Sequence, residues 1–133
     1  MSRGWLRTVR ATIAILAIVC LLAATPAVAR TRTVVARGSC RGDGDSHWRL
    51  VLVQHDHRIG VGFKVVQGVP GNIWRVKIAK NRHTIFRALQ ATHGEHGSFA
   101  VRVWTRNTRG LDFFRARARN LATGELCRAR AVI

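Results

Sequence analysis

Short runs in which apolar and polar residues alternate dominate the chain from about residue 47 onward. The clearest is RIGVGFKVV, where Ile59, Val61, Phe63 and Val65 fall on one side and glycines or cations on the other. A period of two places successive side chains on opposite faces of a β-strand. Seven such runs are present: HWRLVLVQ, RIGVGFKVV, NIWRVKIAK, HTIFRALQ, SFAVRVWTR, LDFFRARARN and ELCRARAVI. The alternation predicts an all-β domain of about seven strands over residues 47–133, without substantial helix.

The connectors between the runs suit antiparallel neighbours. VPGN, AKNRH, NTRG and NLATGE supply proline, asparagine or glycine at positions that tight turns prefer. Regularly spaced short strands in a domain of about 100 residues predict an antiparallel β-sandwich of immunoglobulin-like topology, with a small barrel as the alternative. Within HTIFRALQ either Phe86 with Ala88 or Ile85 with Leu89 could face the core, and we favour the first pair. Residues 30–46 are expected to form an extended lead-in.

The first 29 residues have the composition of a secretory signal peptide. MSRGWLRTVR is basic, ATIAILAIVCLLAA is apolar, and Ala27-Val28-Ala29 has the small-x-small pattern of a cleavage site. The apolar run is short for a bilayer span, which needs about 20 residues. We expect cleavage after Ala29, export, and no transmembrane segment in the remaining chain; an uncleaved membrane anchor is the alternative. Cys20 would leave with the signal.

Two cysteines remain beyond residue 29, Cys40 and Cys127. In an exported chain an isolated pair predicts one disulfide, because the compartment is oxidising. Neither cysteine has a second cysteine or a histidine at the spacing of zinc ligands, so no zinc site is expected. A bridge between them would hold the first and last strands of the domain side by side.

Several short segments resemble the small secreted immunoglobulin-like β-sandwich proteins of actinobacteria. They are HWRLVLV, IWRVKI, GSFAVRVW and TGELCRARAVI, together with the signal peptide and the early Cys40. The resemblance covers about residues 40–133. It implies a sandwich fold and export, and it carries over no catalytic or binding residue.

Basic residues exceed acidic ones strongly, 23 Lys and Arg against 6 Asp and Glu. In an immunoglobulin-like order the third, sixth and seventh runs share a sheet, and their outward residues form one face. By alternation Phe113 lies on this face, and so do seven cations: Arg75, Lys77, Arg115, Arg117, Arg119, Arg128 and Arg130. Such a face would attract polyanions of the cell envelope, although arginines that merely keep sheet edges from aggregating are the simpler interpretation. Nucleic acid is not expected as the native ligand, because Phe113 and Trp104 are the only exposed aromatic candidates.

No motif in the sequence indicates an enzyme. The serines lack a nucleophile-elbow context, the carboxylates are scattered over loops, and the histidines near residues 55–57 and 93–96 are expected to be solvated rather than metal-bound. No cofactor or metal is predicted. We expect a monomeric, secreted or cell-wall-associated binding module without enzymatic activity. A protein-binding inhibitor, or a structural envelope protein with one protein partner, is the alternative.

Overall fold

The computed structural model describes residues 30–133, so the predicted signal peptide over residues 1–29 lies outside the described part. The described chain is all-β and holds eight strands joined by turns and loops. Their bounds are β1 Arg32–Ser39, β2 His47–His55, β3 Arg58–Val66, β4 Ile73–Lys80, β5 His83–Ala91, β6 Ser98–Arg106, β7 Phe113–Asn120 and β8 Leu126–Val132. Within residues 30–133 we find no helix with the length and apolar character that crossing a bilayer requires.

The strands form two antiparallel four-stranded sheets packed as a sandwich. Sheet 1 has the order β1-β2-β3-β6, and sheet 2 has the order β5-β4-β7-β8. The chain changes sheets after β3, after β5 and again after β6. All hydrogen-bonded neighbours within the sheets are antiparallel. The predicted antiparallel β-sandwich is therefore confirmed.

The strand that the sequence did not predict is β1. Its residues belong to the extended lead-in, but all eight of them pair in register with β2. Its inward side chains are Val34 and Ala36, followed by Gly38, which lies against the indole of Trp48 and has no room for a side chain. Because these inward residues are small, the alternation in β1 is weak and the prediction of about seven strands fell one short.

The core lies between the inward faces of the two sheets. Leu50, Leu52 and Phe63 come from sheet 1, and Trp74 and Phe114 from sheet 2, all essentially inaccessible to solvent. The strands β7 and β8 otherwise contribute alanines and Cys127, so the large side chains of sheet 1 fill the space opposite them. The strands β7 and β8 pair in one continuous antiparallel register, so their alternate residues face outward.

The predicted pattern inside the fifth strand is also confirmed. Phe86 and Ala88 are partly buried, whereas Leu89 is exposed. A register shift opposite Ile78 and Ala79 accounts for Ile85, which is also partly buried against the core. A β-bulge of this kind leaves one residue outside the regular alternation.

A disulfide closes the domain, as predicted, between Cys40 just after β1 and Cys127 in β8. These strands are the edges of different sheets, so the bridge joins the two layers of the sandwich. Two backbone hydrogen bonds between Arg41 and Leu126, of 2.8 and 2.9 Å, continue the contact beside it. The chain ends of the domain are therefore held together by a covalent bond and by a short piece of ladder.

Candidate functional site

The seven predicted cations all lie exposed on the outer face of sheet 2. The strands β4, β7 and β8 are neighbours in that sheet, and the register sets Arg75 opposite Arg119, and Arg115 opposite Arg130. Phe113 is also on this face, 54% exposed and opposite Val132. The structure thus brings together every residue that the alternation assigned to one surface.

An eighth cation, Arg87, joins this surface from β5. Its register partner is Lys77, which in turn faces Arg117, whose other neighbour is Arg128. The row Arg87-Lys77-Arg117-Arg128 therefore crosses all four strands of the sheet. Sequence reasoning missed Arg87, although the tight AKNRH turn between β4 and β5 and the inward Phe86 together indicate it. We call the eight residues the cationic face: Arg75, Lys77, Arg87, Arg115, Arg117, Arg119, Arg128 and Arg130.

The sheet gives the cationic face a regular spacing. Neighbouring strands lie about 4.8 Å apart, and alternate residues along a strand about 7 Å apart. Five of the side chains surround a shallow depression of about 460 Å³, namely Arg75, Lys77, Arg87, Arg117 and Arg119. Each guanidinium group presents several hydrogen-bond donors in a planar fork. Two oxygens of a phosphate or carboxylate can accept from two donors of the same fork.

No acidic residue neutralises the cationic face. All six acidic residues of the chain lie within residues 30–133, and none is on the outer face of sheet 2. The ion pairs of this part of the chain are His55 with Asp56 at 3.9 Å, and Lys80 with Asp112 at 3.2 Å. Like charges directly opposite each other on neighbouring strands destabilise a sheet. An anion that bridged neighbouring cations would reduce this repulsion, so the electrostatics of the surface favour the binding of an anionic chain.

Asp112 anchors the start of the strand that carries three of the arginines. Its carboxylate is inaccessible to solvent and accepts hydrogen bonds from the backbone and hydroxyl of Thr108, from the Asn81 amide and from the Lys80 ammonium. Burial raises the pKa of Asp112, but the hydrogen bonds from Thr108, Asn81 and Lys80 outweigh it, so the pKa is lowered overall. Lys80 also donates to the carbonyl of Arg106, which ties the end of β6 to this cluster.

Glu125 has a comparable position at the other end of the β7-β8 hairpin. It is 2% exposed, its backbone carbonyl accepts a hydrogen bond from Asn120, and its side chain lies against Gly42 and Gly44. A Cβ at Gly44 would overlap its carboxylate. Two of the six acidic residues are thus buried at the ends of the hairpin, and neither pairs with the cationic face.

The other sequence candidates stay apart in space. Among residues 30–133 no group of three His, Cys, Asp or Glu side chains is arranged to hold a metal ion. His93 sits in the loop before β6, where it forms an isolated bridge with Ser98, while His55 lies at the end of β2. The cationic face is therefore the strongest candidate for a functional surface in the described chain.

Comparison of the chain with known protein families, with curated proteins and with solved structures finds no match in any of the three.

Proposed function

We propose that this protein is an exported, non-enzymatic binding module that holds linear polyanions of the cell envelope on its cationic face. The chemistry expected of the ligand is a polyphosphodiester such as a teichoic acid. The observation that carries the proposal is the unpaired row Arg87-Lys77-Arg117-Arg128 with cations on both sides of it. A face built only to block aggregation would need charges at the sheet edges, whereas Lys77 and Arg117 occupy the two central strands.

Export and kinship are further parts of the proposal. The disulfide between Cys40 and Cys127 supports an oxidising compartment. The orders β2-β3-β6 and β4-β7-β8 support an immunoglobulin-like relation to the small secreted actinobacterial proteins, with β1 and β5 added at the sheet edges. Mass spectrometry of protein from the culture medium tests export. We expect a mature N-terminus at Arg30, and a chain retained in the membrane with residues 1–29 attached would contradict it.

The binding proposal is tested by matched charge reversals on the two outer faces. Lys77, Arg117 and Arg128 form one in-register row of sheet 2, and Arg37, Arg49 and Lys64 form another on sheet 1. Each row contains one lysine and two exposed arginines on three adjacent strands. Replacing either row with glutamate changes the net charge by the same amount, so a difference between the two variants reports position rather than total charge.

The probe is fluorescently labelled poly(glycerol phosphate), titrated at low and at physiological salt. We expect the sheet 2 variant to lose at least tenfold in affinity and the sheet 1 variant to lose much less. Equal losses would show that net charge alone attracts the polymer, and an unchanged affinity of the sheet 2 variant would remove the cationic face from the site. A protein partner captured in place of the polymer, and retained at high salt, would favour the inhibitor or structural role instead.

A further inference from the structure

An exposed tryptophan marks a second surface, on the outer face of sheet 1. Trp104 belongs to the edge strand β6 and is 61% exposed. Its register partner is Gly60, and three consecutive atoms of the six-membered indole ring lie within 3.4 Å of where a Cβ at Gly60 would be. The ring therefore packs on the backbone of Gly60, and most of the indole remains exposed to solvent.

Cations flank this ring along the same face. Arg102 and Arg106 are the alternate residues of β6 on either side of Trp104, and Arg58 is the register partner of Arg106. An open depression of about 720 Å³ lies between the indole, Arg58, Arg106 and the side of Asn107. The backbone of Asn107 donates a 2.7 Å hydrogen bond to the carbonyl of His57, which fixes the loop after β6 onto the β2-β3 turn.

The charge around Trp104 is not balanced by acids. Asp56 is the carboxylate of the neighbouring β2-β3 turn, and its side chain faces His55 at 3.9 Å. The guanidinium groups of Arg58, Arg102 and Arg106 have no ion pair within residues 30–133. The surface therefore combines one supported aromatic ring with several cationic donors, unlike the cationic face, whose centre is cations alone.

We propose that this surface, which we call the Trp104 platform, binds the acidic sugar residues of a glycan. The apolar C–H face of a pyranose ring would stack on the indole, and its carboxylate would accept hydrogen bonds from Arg58 and Arg106 in the geometry that guanidinium groups favour. Single-stranded nucleic acid fits less well, because it binds along a series of aromatic side chains. Trp104 is the only Trp or Phe on the outer face of sheet 1 within the described residues.

The site is independent of the proposed function, because it lies on the opposite layer of the sandwich. The test uses a hexagalacturonate as probe, with maltohexaose as the neutral control and a dT hexanucleotide as the nucleic-acid control. Binding is followed in the purified protein by the NMR signals of the indole N–H groups. Trp74 is buried with its indole nitrogen 3.1 Å from the Gln67 amide oxygen, so its signal is an internal reference. The protein also carries the Lys77, Arg117 and Arg128 reversals, which suppress binding at the cationic face.

We expect the uronate to shift the Trp104 signal and leave the Trp74 signal unchanged. Trp104→Ala should lower the affinity for hexagalacturonate about tenfold or more. The double variant Arg58→Gln with Arg106→Gln should also lower this affinity, without creating affinity for maltohexaose. Gly60→Ala, which pushes a Cβ toward the indole, should weaken binding while keeping the tryptophan. An equal response to maltohexaose, a response to the dT hexanucleotide alone, or an unchanged affinity of Trp104→Ala would each overturn the proposal.

Discussion

Removing the disulfide is expected to cost this domain a large share of its stability. The bridge joins residues 87 positions apart, so it closes a loop of nearly the whole described chain. In the chain-entropy treatment a loop of this length contributes about 4.6 kcal/mol at 25 °C. Domains of this size are commonly stable by about 5–15 kcal/mol. Replacing Cys40 and Cys127 together with alanine should therefore lower the free energy of unfolding by about 4–5 kcal/mol, which is at least about a third of the stability of such a domain.

Urea unfolding followed by tryptophan fluorescence measures this loss. The buried Trp74 reports the unfolding of the core, and the slope of the free energy against urea should rise because the uncrosslinked unfolded chain is more expanded. Ser39→Ala, at an exposed position beside Cys40, is the control and should change stability by less than about 0.5 kcal/mol. A loss below about 1 kcal/mol for the double variant would refute the reasoning. It would mean that the core and the backbone hydrogen bonds between Arg41 and Leu126 hold the ends without the bridge.

Two further predictions concern the stability of the fold. Because the pKa of Asp112 is lowered, its stabilisation should be fully present above the ordinary aspartate pKa of about 3.9 and be lost as the pH falls through the lower folded value. Asp112→Asn should remove that part of the acid dependence. It should also lower the free energy of unfolding by about 3–5 kcal/mol at pH 7, because Lys80 is left buried without its carboxylate partner. Urea unfolding measured across a range of pH tests both effects. Gly97→Ala should destabilise by about 2–4 kcal/mol, because Gly97 has a φ of 51° and a Cβ there would overlap the backbone of Val69. Gly62→Ala is its control, with ordinary contact distances and little expected change; equal effects would contradict the packing argument.

The alternation predicted the cationic face because that surface depends on local parity. Arg115, Arg117 and Arg119 alternate with Ala116 and Ala118, which are small and apolar and lie in the core. The arginines therefore point outward whichever strands their own strand pairs with. The disulfide was predictable because, once the predicted signal peptide is removed, Cys40 and Cys127 are the only two cysteines left and can pair only with each other.

The features that sequence reasoning missed depend on sheet partners. Arg87 joins the cationic face because β5 pairs with β4 rather than with sheet 1. The tight AKNRH turn favours this pairing, but the expected sheet of the third, sixth and seventh runs left β5 out. The pairing of Lys80 with Asp112 arises where the ends of β4 and β7 meet, across 32 positions of sequence. The strand β1 was missed because its inward residues, Val34, Ala36 and Gly38, give only a weak apolar alternation. Its pairing with β2, which extends over all eight residues, is not visible in its own sequence.

The salt dependence of polyanion binding tests the central claim most directly. Each cation that replaces a counterion on a flexible phosphodiester chain contributes about 0.7 to the slope of log affinity against log salt. Replacing Lys77, Arg117 and Arg128 with glutamine should therefore reduce the magnitude of the slope for poly(glycerol phosphate) by about 2. The matched replacement of Arg37, Arg49 and Lys64 should leave it nearly unchanged. The same slope in both variants, or an undiminished slope in the first, would contradict binding at the cationic face.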